Sequence, residues 1–233
     1  QIGQDFTYSR FKGFGQAFIQ DSTTLRLPQE LSSQFPGNHS RGKQKAVARI
    51  QSIFDIKAMK FFRFSLGAFT QNDQGDSGNI VEMIKKNDPI AIGLVIRDLG
   101  YFSIDVFEKL IKAQAHFLSR LRYGVIITGL YGRPVLLKDL LKQKHGTDRW
   151  VYIGSKKRIL VRLVMIPVPA TQRAEKVRKA KQGRDARLNH SKAYYQWLGF
   201  SVYITTVDKG QWTTAQVYKA YKVRWQIEII FKS

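Results

Sequence analysis

With 233 residues, of which 43% are hydrophobic and 12% aromatic, the chain is long enough to bury a core as one large domain or two small ones, and its composition is that of a globular protein. It has no cysteine, and its four histidines lack the paired spacing of zinc ligands, so disulfides and thiolate metal sites are excluded and a zinc site is not expected. The net charge of +22 predicts a polyanionic partner, with nucleic acid favoured over an anionic membrane surface.

The first half of the chain has the pattern of a mixed α/β sheet. An apolar strand over 17–20 ends at Asp21, and the polar, basic residues 28–45 predict a loop. A buried strand over about 90–97 ends at Asp98, and Ser103 can cap the helix that follows. The other predicted elements are an antiparallel hairpin (46–56 with 58–69), helices over about 78–87 and 104–114, and a strand over 116–121.

The second half is richer in short strands and basic residues. Short strand-like runs are predicted over 124–130, 151–154, 158–168 and 201–206, with a basic helix near 136–145. Residues 171–192 carry eight basic side chains against two acidic ones. A charge run is usually a solvated helix face, but one so unbalanced in a chain of this net charge favours contact with phosphate.

The final stretch predicts a helix that begins at Thr213–Thr214. Glu228 lies there within an apolar run that covers most of the helix circumference, and a buried carboxylate is costly unless it is paired or bound to a metal. Tyr221 and Arg224 precede it on the same stripe. The simpler interpretation is an ordinary salt bridge between Glu228 and Arg224 at helical spacing.

Three acids stand apart from the others in the chain, because Asp21 and Asp98 end apolar strands and Glu228 lies in an apolar helix. Brought together, three carboxylates stay ionised only by binding cations, and hard oxygen ligands select Mg²⁺ or Mn²⁺. In a protein this basic the expected substrate is a phosphodiester, with two ions in the site. Arg224 and Tyr221 are placed to hold the neighbouring phosphate.

At these residues the chain resembles the DDE transposases of bacterial insertion sequences, in particular the insertion-sequence-four family. Tyr221, Arg224 and Glu228 match the family's Y-(2)-R-(3)-E signature, and the lysine that completes it would fall at position 235, beyond this chain. Asp21 in Gln-Asp-Ser-Thr and Asp98 in Arg-Asp-Leu-Gly-Tyr-Phe match the contexts of the family's two aspartates. Thr205–Thr206 departs from the usual Thr-Asn.

The resemblance implies an RNase H-like mixed sheet flanked by helices, with a β-rich insertion subdomain before the last catalytic helix. The expected division is 1–123 for the first part of the core, 124–211 for the insertion and 212–233 for the catalytic helix. The implied reaction is metal-dependent hydrolysis at transposon ends, followed by attack of the freed 3′-hydroxyl on target DNA. Asp21, Asp98 and Glu228 would be the catalytic metal ligands, and the candidate DNA contacts are Tyr221, Arg224, Lys232, Arg120, Arg173, Lys176, Arg178 and Lys179.

Two other functions remain open: a plain metal-dependent nuclease on the same core, and a catalytically silent DNA-binding remnant. The expected partner is double-stranded DNA in the bacterial cytoplasm, at the nucleoid, with homodimerisation in the full-length protein and no membrane association. The chain starts without Met and stops in mid-helix by pattern, so we expect an internal piece of a longer protein. Core packing is favoured over base stacking for all four tryptophans, and Asp55 and Asp73 are less favoured as ligands.

Overall fold

The computed structural model describes residues 10–40, 43–70, 80–81, 93–183 and 190–225. The chain forms two compact units, one of Gln1–Ser119 with Tyr218–Ser233 and the other of Arg120–Val217. The subdomain boundaries expected from the sequence, after residues 123 and 211, stay a prediction. Among the described residues, no helix is both long and apolar enough to cross a bilayer.

The sheet of the first unit is built around one long strand. That strand, β1, lies antiparallel to β3 and parallel to β5, while β4 is antiparallel to β3 and β6 is parallel to β5. Three antiparallel strands followed by two parallel ones confirm the RNase H-like sheet that was predicted. The strands are β1 (Gln16–Arg26), β2 (Pro36–Ser40, antiparallel to β3), β3 (Lys43–Asp55), β4 (Lys60–Ala68), β5 (Gly93–Arg97) and β6 (His116–Arg120).

The central strand β5 lies between β1 and β6, and in helix α1 (Ile104–Lys112) the ring of Phe107 packs against Arg97 at the end of β5. All five of its residues are buried, as the continuous aliphatic pattern predicted. In α1, Phe107 is fully buried and stacks on Phe117 of β6, with ring centroids 4.3 Å apart. Each such large apolar side chain contributes about 1.5–3 kcal/mol by leaving water, so this layer holds β5 and β6 in place.

The second unit is an antiparallel sheet with short helices. Its strands follow the order β10-β9-β8-β7, and every neighbouring pair is antiparallel. The elements are β7 (Ile127–Thr128), α2 (Leu137–Leu141), β8 (Thr147–Ile153), β9 (Ile159–Pro167), α3 (Ala170–Gln182), α4 (Lys192–Trp197) and β10 (Phe200–Thr205). Strand β9 has six of its nine residues buried.

The last described helix, α5 (Thr214–Lys222), begins where its sequence predicted. Thr213 and Gln216 form a reciprocal cap: the Gln216 N–H donates to Thr213 Oγ1 and the Thr213 N–H donates to Gln216 Oε1. After Lys222 the backbone makes a turn at Val223 before Arg224 and Trp225 are helical again.

Several local predictions were wrong, each for a physical reason. Asp21 lies inside β1 and not at its end, because the polar residues after it still pair with β3, down to Arg26 opposite Val47. The predicted loop over 28–45 contains a 3₁₀ turn, strand β2 and the start of β3, which pair at the sheet edge without an apolar pattern. The predicted elements over 124–130 and 136–145 shrink to β7 and α2, and helices α3 and α4 were not predicted.

The remaining elements follow the sequence pattern. The hairpin β3–β4, strands β5, β6, β9 and β10, and helix α1 are confirmed. Ser103 occupies the position before α1, but its side chain makes no capping hydrogen bond. Most of the helix predicted over 78–87 lies outside the described residues.

Candidate active site

Asp21 and Asp98 are brought together by the pairing of two parallel strands. Gln20 of β1 lies opposite Arg97 of β5, so the next residue of each strand is one of the two acids. Parallel strands place such residues at the same edge of the sheet. Asp98 follows β5 and precedes a 3₁₀ turn at Leu99–Tyr101.

Asp21 is the more enclosed of the two, with 6% of its surface exposed. The Ser22 N–H donates to its carboxylate over 2.9 Å, and the Ser52 hydroxyl donates to its backbone carbonyl. Burial raises the pKa of Asp21 to about 6, although the charge of Arg224 and the Ser22 hydrogen bond oppose the rise; the charge of Asp98 adds to it. A buried acid with a perturbed pKa is typical of a functional site.

Tyr221 of α5 and Arg224, which follows the turn at Val223, are the partners of the two acids. Arg224 Nη1 lies 2.5 Å from Asp21 Oδ2, and Arg224 Nε lies 3.6 Å from Asp98 Oδ1. Tyr221 donates its hydroxyl to the same Asp98 oxygen over 3.1 Å. The four predicted residues Asp21, Asp98, Tyr221 and Arg224 therefore share one site. Glu228, the alternative partner of Arg224, lies outside the described residues.

The two carboxylates fit a divalent metal ion. One guanidinium contacts both of them, so their oxygens converge on a single positive charge. Carboxylate oxygens are the ligands that Mg²⁺ and Mn²⁺ prefer. Within the described part of the chain no three acidic or histidine side chains gather, and the third predicted ligand, Glu228, falls beyond that part.

The predicted DNA contacts of the second unit lie on or near helix α3, no residue of which is buried. Arg173, Arg178 and Lys179 are exposed, and the last two pair with Glu175. Lys176 is half-buried, and desolvation together with the charge of Arg120 lowers its pKa. Two cations held near each other favour an anionic ligand. Lys232 lies outside the described residues.

The outcomes for other candidate residues are mixed. Trp212 and Trp197 are buried, as predicted, but Trp225 is 60% exposed, so core packing was the wrong prediction there.

Asp55 accepts hydrogen bonds from the N–H groups of Lys57 and Ala58 and stabilises a turn, which agrees with its low rank as a ligand. Asp73 lies outside the described residues. The Ser22 N–H that supports Asp21 was missed, because a backbone donor leaves no sequence signal.

An RNase H-like sheet that carries two acids on adjacent parallel strands, with a tyrosine and an arginine against them, is typical of the DDE nucleic-acid recombinases and nucleases. The family model described as the transposase DDE domain matches residues 12–233, and the chain belongs to that family.

Curated relatives include two insertion-sequence transposases. The transposase of insertion sequence element IS231F from Bacillus thuringiensis subsp. israelensis is 26% identical over 241 residues, which cover 94% of this chain and 49% of the relative. The transposase of IS1151 from Clostridium perfringens is 26% identical over 244 residues, covering 94% and 50%. The chain thus spans about half the length of these relatives. A solved piggyBac transposase synaptic complex with hairpin DNA aligns with a TM-score of 0.48 and 11% identity, over 90% of this chain and 38% of that one.

Proposed function

We propose that the chain is the catalytic domain of a DNA transposase that hydrolyses phosphodiesters at transposon ends. The freed 3′-hydroxyl then attacks a phosphodiester of the target DNA, which joins the transposon end to the target and releases the 3′-hydroxyl of the broken target strand. The observation that carries the proposal is the convergence of Asp21 and Asp98 on the guanidinium of Arg224, with the Tyr221 hydroxyl alongside. Membership of the transposase DDE family supports it.

Divalent metal use follows from the family, and Mg²⁺, or Mn²⁺ in its place, fits the oxygen donors. Asp21, Asp98 and Glu228 are the residues that would hold two ions. Such ions would activate the attacking oxygen and stabilise the leaving one in an in-line displacement. Burial keeps water away from Asp21, which strengthens its attraction for a cation once it is ionised.

Arg224 and Tyr221 are proposed to bind the phosphate next to the scissile bond. In the structure they use their donors on the two carboxylates. When those carboxylates are neutralised by cations, the same donors become available to phosphate oxygens, and a guanidinium can bind two of them at once. The two side chains can thus donate first to the carboxylates and, once metal ions are bound, to the phosphate of the DNA.

Helix α3 is proposed to grip the DNA backbone through Arg173, Lys176, Arg178 and Lys179, with Arg120 beside Lys176. Exposed cations on one helix bind phosphates without selecting a sequence. Their ion pairs with Glu175 lie at the surface and are easily exchanged for phosphate. The proposal extends to double-stranded DNA at the bacterial nucleoid as the partner and to a homodimer in the longer protein.

The primary test is nicking of DNA that carries the transposon ends, with Mg²⁺ or Mn²⁺. We expect Asp21→Asn, Asp98→Asn and Glu228→Gln each to abolish nicking, while Asp139→Asn, which changes an exposed acid on α2, leaves it intact. Metal-dependent nicking that survives all three changes would refute the assignment.

Two alternatives are separated by further measurements. A plain nuclease on the same core would cut DNA but would not join pre-cut ends to target DNA, so a strand-joining assay distinguishes it. A catalytically silent remnant would bind DNA but would show no carboxylate-dependent heat of Mn²⁺ binding by calorimetry. The family match favours the transposase over both.

A further inference from the structure

The face of the first sheet that carries Asp21 continues into exposed apolar side chains. Asp21 of β1 lies opposite Ser52 of β3, and Ser52 lies opposite Phe64 of β4. Residues directly opposite each other in a sheet point to the same face, so Asp21 and Phe64 share one face. Two strand spacings separate their Cα atoms, which is about 10 Å.

Phe64 is exposed although it lies in the middle of a strand. Its exposed fraction is 55%, and that of Leu66 is 62%. Leu66 lies opposite Ile50, which lies opposite Thr23, two residues after Asp21 on β1. Leu66 therefore lies on the same face as Phe64. Large apolar side chains that are left together in water on a folded protein mark a binding surface.

A bulge in β4 supports the ring of Phe64. Arg63 lies opposite Ile53, whereas Phe61 lies opposite Phe54, so β4 holds one residue more than β3 at this point. In a regular strand, residues three positions apart point to opposite faces. Here the rings of Phe61 and Phe64 meet, with centroids 4.5 Å apart and planes at 36°. Phe61 also packs edge-on against the buried Phe54, so the Phe64 ring is held in place at the surface.

The charges beside this apolar patch (Phe61, Phe64 and Leu66) favour a nucleic acid as its ligand. Lys60 and Arg63 of the same strand are exposed. Proteins bind single-stranded nucleic acid with this combination, in which cations hold the phosphates and aromatic rings stack on the bases. A second copy of the chain would instead bring two sets of these cations together, with a net charge of +22 on each chain.

We infer that Phe64, supported by Phe61, is a stacking platform for an unpaired base of the DNA strand that lies at Asp21 and Asp98. The inference rests on the proposed function for the position of that strand. It adds a contact to a base, whereas the contacts proposed above are to phosphate. Every base has a π face, so such a platform binds DNA without selecting a sequence.

Binding of two single-stranded oligomers in the absence of metal tests the inference. One consists of about 12 thymidines, and the other has the same number of phosphates but no bases. Fluorescence anisotropy gives both affinities, and their ratio measures what the bases contribute. We expect the wild type to bind the thymidine oligomer about tenfold more tightly than the abasic one.

Two substitutions at Phe64 separate stacking from simple apolar contact. Phe64→Leu keeps an apolar side chain but no ring and should lose the preference for thymidine, whereas Phe64→Trp should retain it. Both variants should keep the Tm within about 2 °C, because the side chain is largely exposed. Tyr131→Leu removes an aromatic side chain that is 95% exposed in the second unit. This control should bind both oligomers as the wild type does.

Three results would overturn the inference. The first is equal binding of the two oligomers by the wild type, and the second is a Phe64→Leu variant that still prefers the thymidine oligomer. The third comes from sedimentation velocity without DNA. A wild-type dimer that Phe64→Leu dissociates would assign the apolar patch to a second copy of the chain.

The nicking assay locates the stacked base relative to the cut. Phe64→Leu should raise KM for DNA about tenfold and leave kcat unchanged, because the platform binds a nucleotide that does not react. An abasic site at the stacked nucleotide should raise KM for the wild type and have no effect on Phe64→Leu. If the wild type shows no metal-dependent nicking, the proposed function fails, while the two oligomers still decide whether Phe64 stacks on a base.

Discussion

Arg224 Nη1 lies 2.5 Å from Asp21 Oδ2, and the two residues are 203 positions apart in the chain. The same guanidinium reaches Asp98. A cation that belongs to the protein itself thus lies between the two acids. An arginine so placed both stabilises the carboxylates and competes with any divalent ion for them.

We predict that Arg224→Gln binds Mn²⁺ more tightly than the wild type, by about tenfold or about 1.4 kcal/mol, because a competing positive charge is removed. Isothermal calorimetry without DNA measures this directly. Nicking by the same variant should fall, since the variant lacks the guanidinium that is proposed to bind phosphate. Arg133→Gln, at an exposed arginine of the second unit, serves as the control and should bind Mn²⁺ as the wild type does. Weaker binding by Arg224→Gln would show that the guanidinium organises the acids and does not compete.

The pKa of Asp21, raised to about 6 by burial, predicts a specific dependence of stability on pH. Between its ordinary pKa near 4 and about 6, the folded protein holds a proton that the unfolded chain has lost, so this group makes the free energy of unfolding fall as pH rises. The fall amounts to about 3 kcal/mol for a shift of about two pKa units. Urea denaturation at pH values from 4 to 7 should show that the stability of Asp21→Asn relative to the wild type increases over this range. A constant difference between the two proteins would contradict the raised pKa.

The ion pair of Asp148 with Arg162 should contribute more to the free energy of unfolding than the exposed ion pairs of Glu175 on α3 do. Asp148→Asn leaves a buried guanidinium with a neutral partner and should lower the free energy of unfolding by about 3 kcal/mol at pH 7. Glu175→Gln, which breaks an exposed pair on α3, should have no measurable effect.

The Asp148 contribution also has a defined pH window. Partial burial disfavours its charge, but hydrogen bonds from Arg162 and Thr214 and the nearby charges outweigh burial and lower its pKa. The stabilisation is therefore present above the ordinary aspartate pKa and is lost as pH falls through the lowered one. The difference between wild type and Asp148→Asn should close in acid, and a difference that persists there would rule out a charge-based origin.

Binding of non-specific duplex DNA should depend on salt through helix α3. Replacing Arg173 or Lys179 with alanine should weaken binding for all sequences alike and reduce the slope of log K against log salt concentration by about one for each phosphate that is no longer bound. Fluorescence anisotropy with a labelled duplex at several salt concentrations measures the slope. Lys112→Ala, at an exposed lysine of α1, is the control and should keep the wild-type slope.

The sequence predicted most reliably what depends on local pattern. The aliphatic run of β5 signalled a strand that is buried on both faces. The alternation in β4 also signalled a strand, but the half-buried face that it predicted is wrong, because Phe62, Phe64 and Leu66 are exposed. The polar continuation of β1 past Asp21 carried no such signal, since its strand state comes from pairing with β3. Helix α3 was missed because its charged surface has no apolar stripe, and all of its residues lie outside the core.

The site was foreseeable only in part. The two strand-borne acids and the Tyr221–Arg224 spacing stood out, and the structure places all four side chains together, although their catalytic roles stay predictions. The partner of Arg224 could not be read from helical spacing, because an acid from β1 competes with any neighbour on its own helix. Asp148, Arg162 and Thr214 lie on three separate elements and are joined by hydrogen bonds. No local sequence pattern in any of these elements predicts that they meet.

The first unit takes its strands from the early part of the chain and its final helical segment from the late part, with residues 120–217 made in between. During translation Asp21 and Asp98 leave the ribosome long before Arg224 does. A nascent polypeptide therefore carries the two acids before it carries the arginine that contacts them. Premature termination anywhere in the intervening block would release a product that lacks Tyr221 and Arg224, so that Asp21 and Asp98 would have neither of these partners.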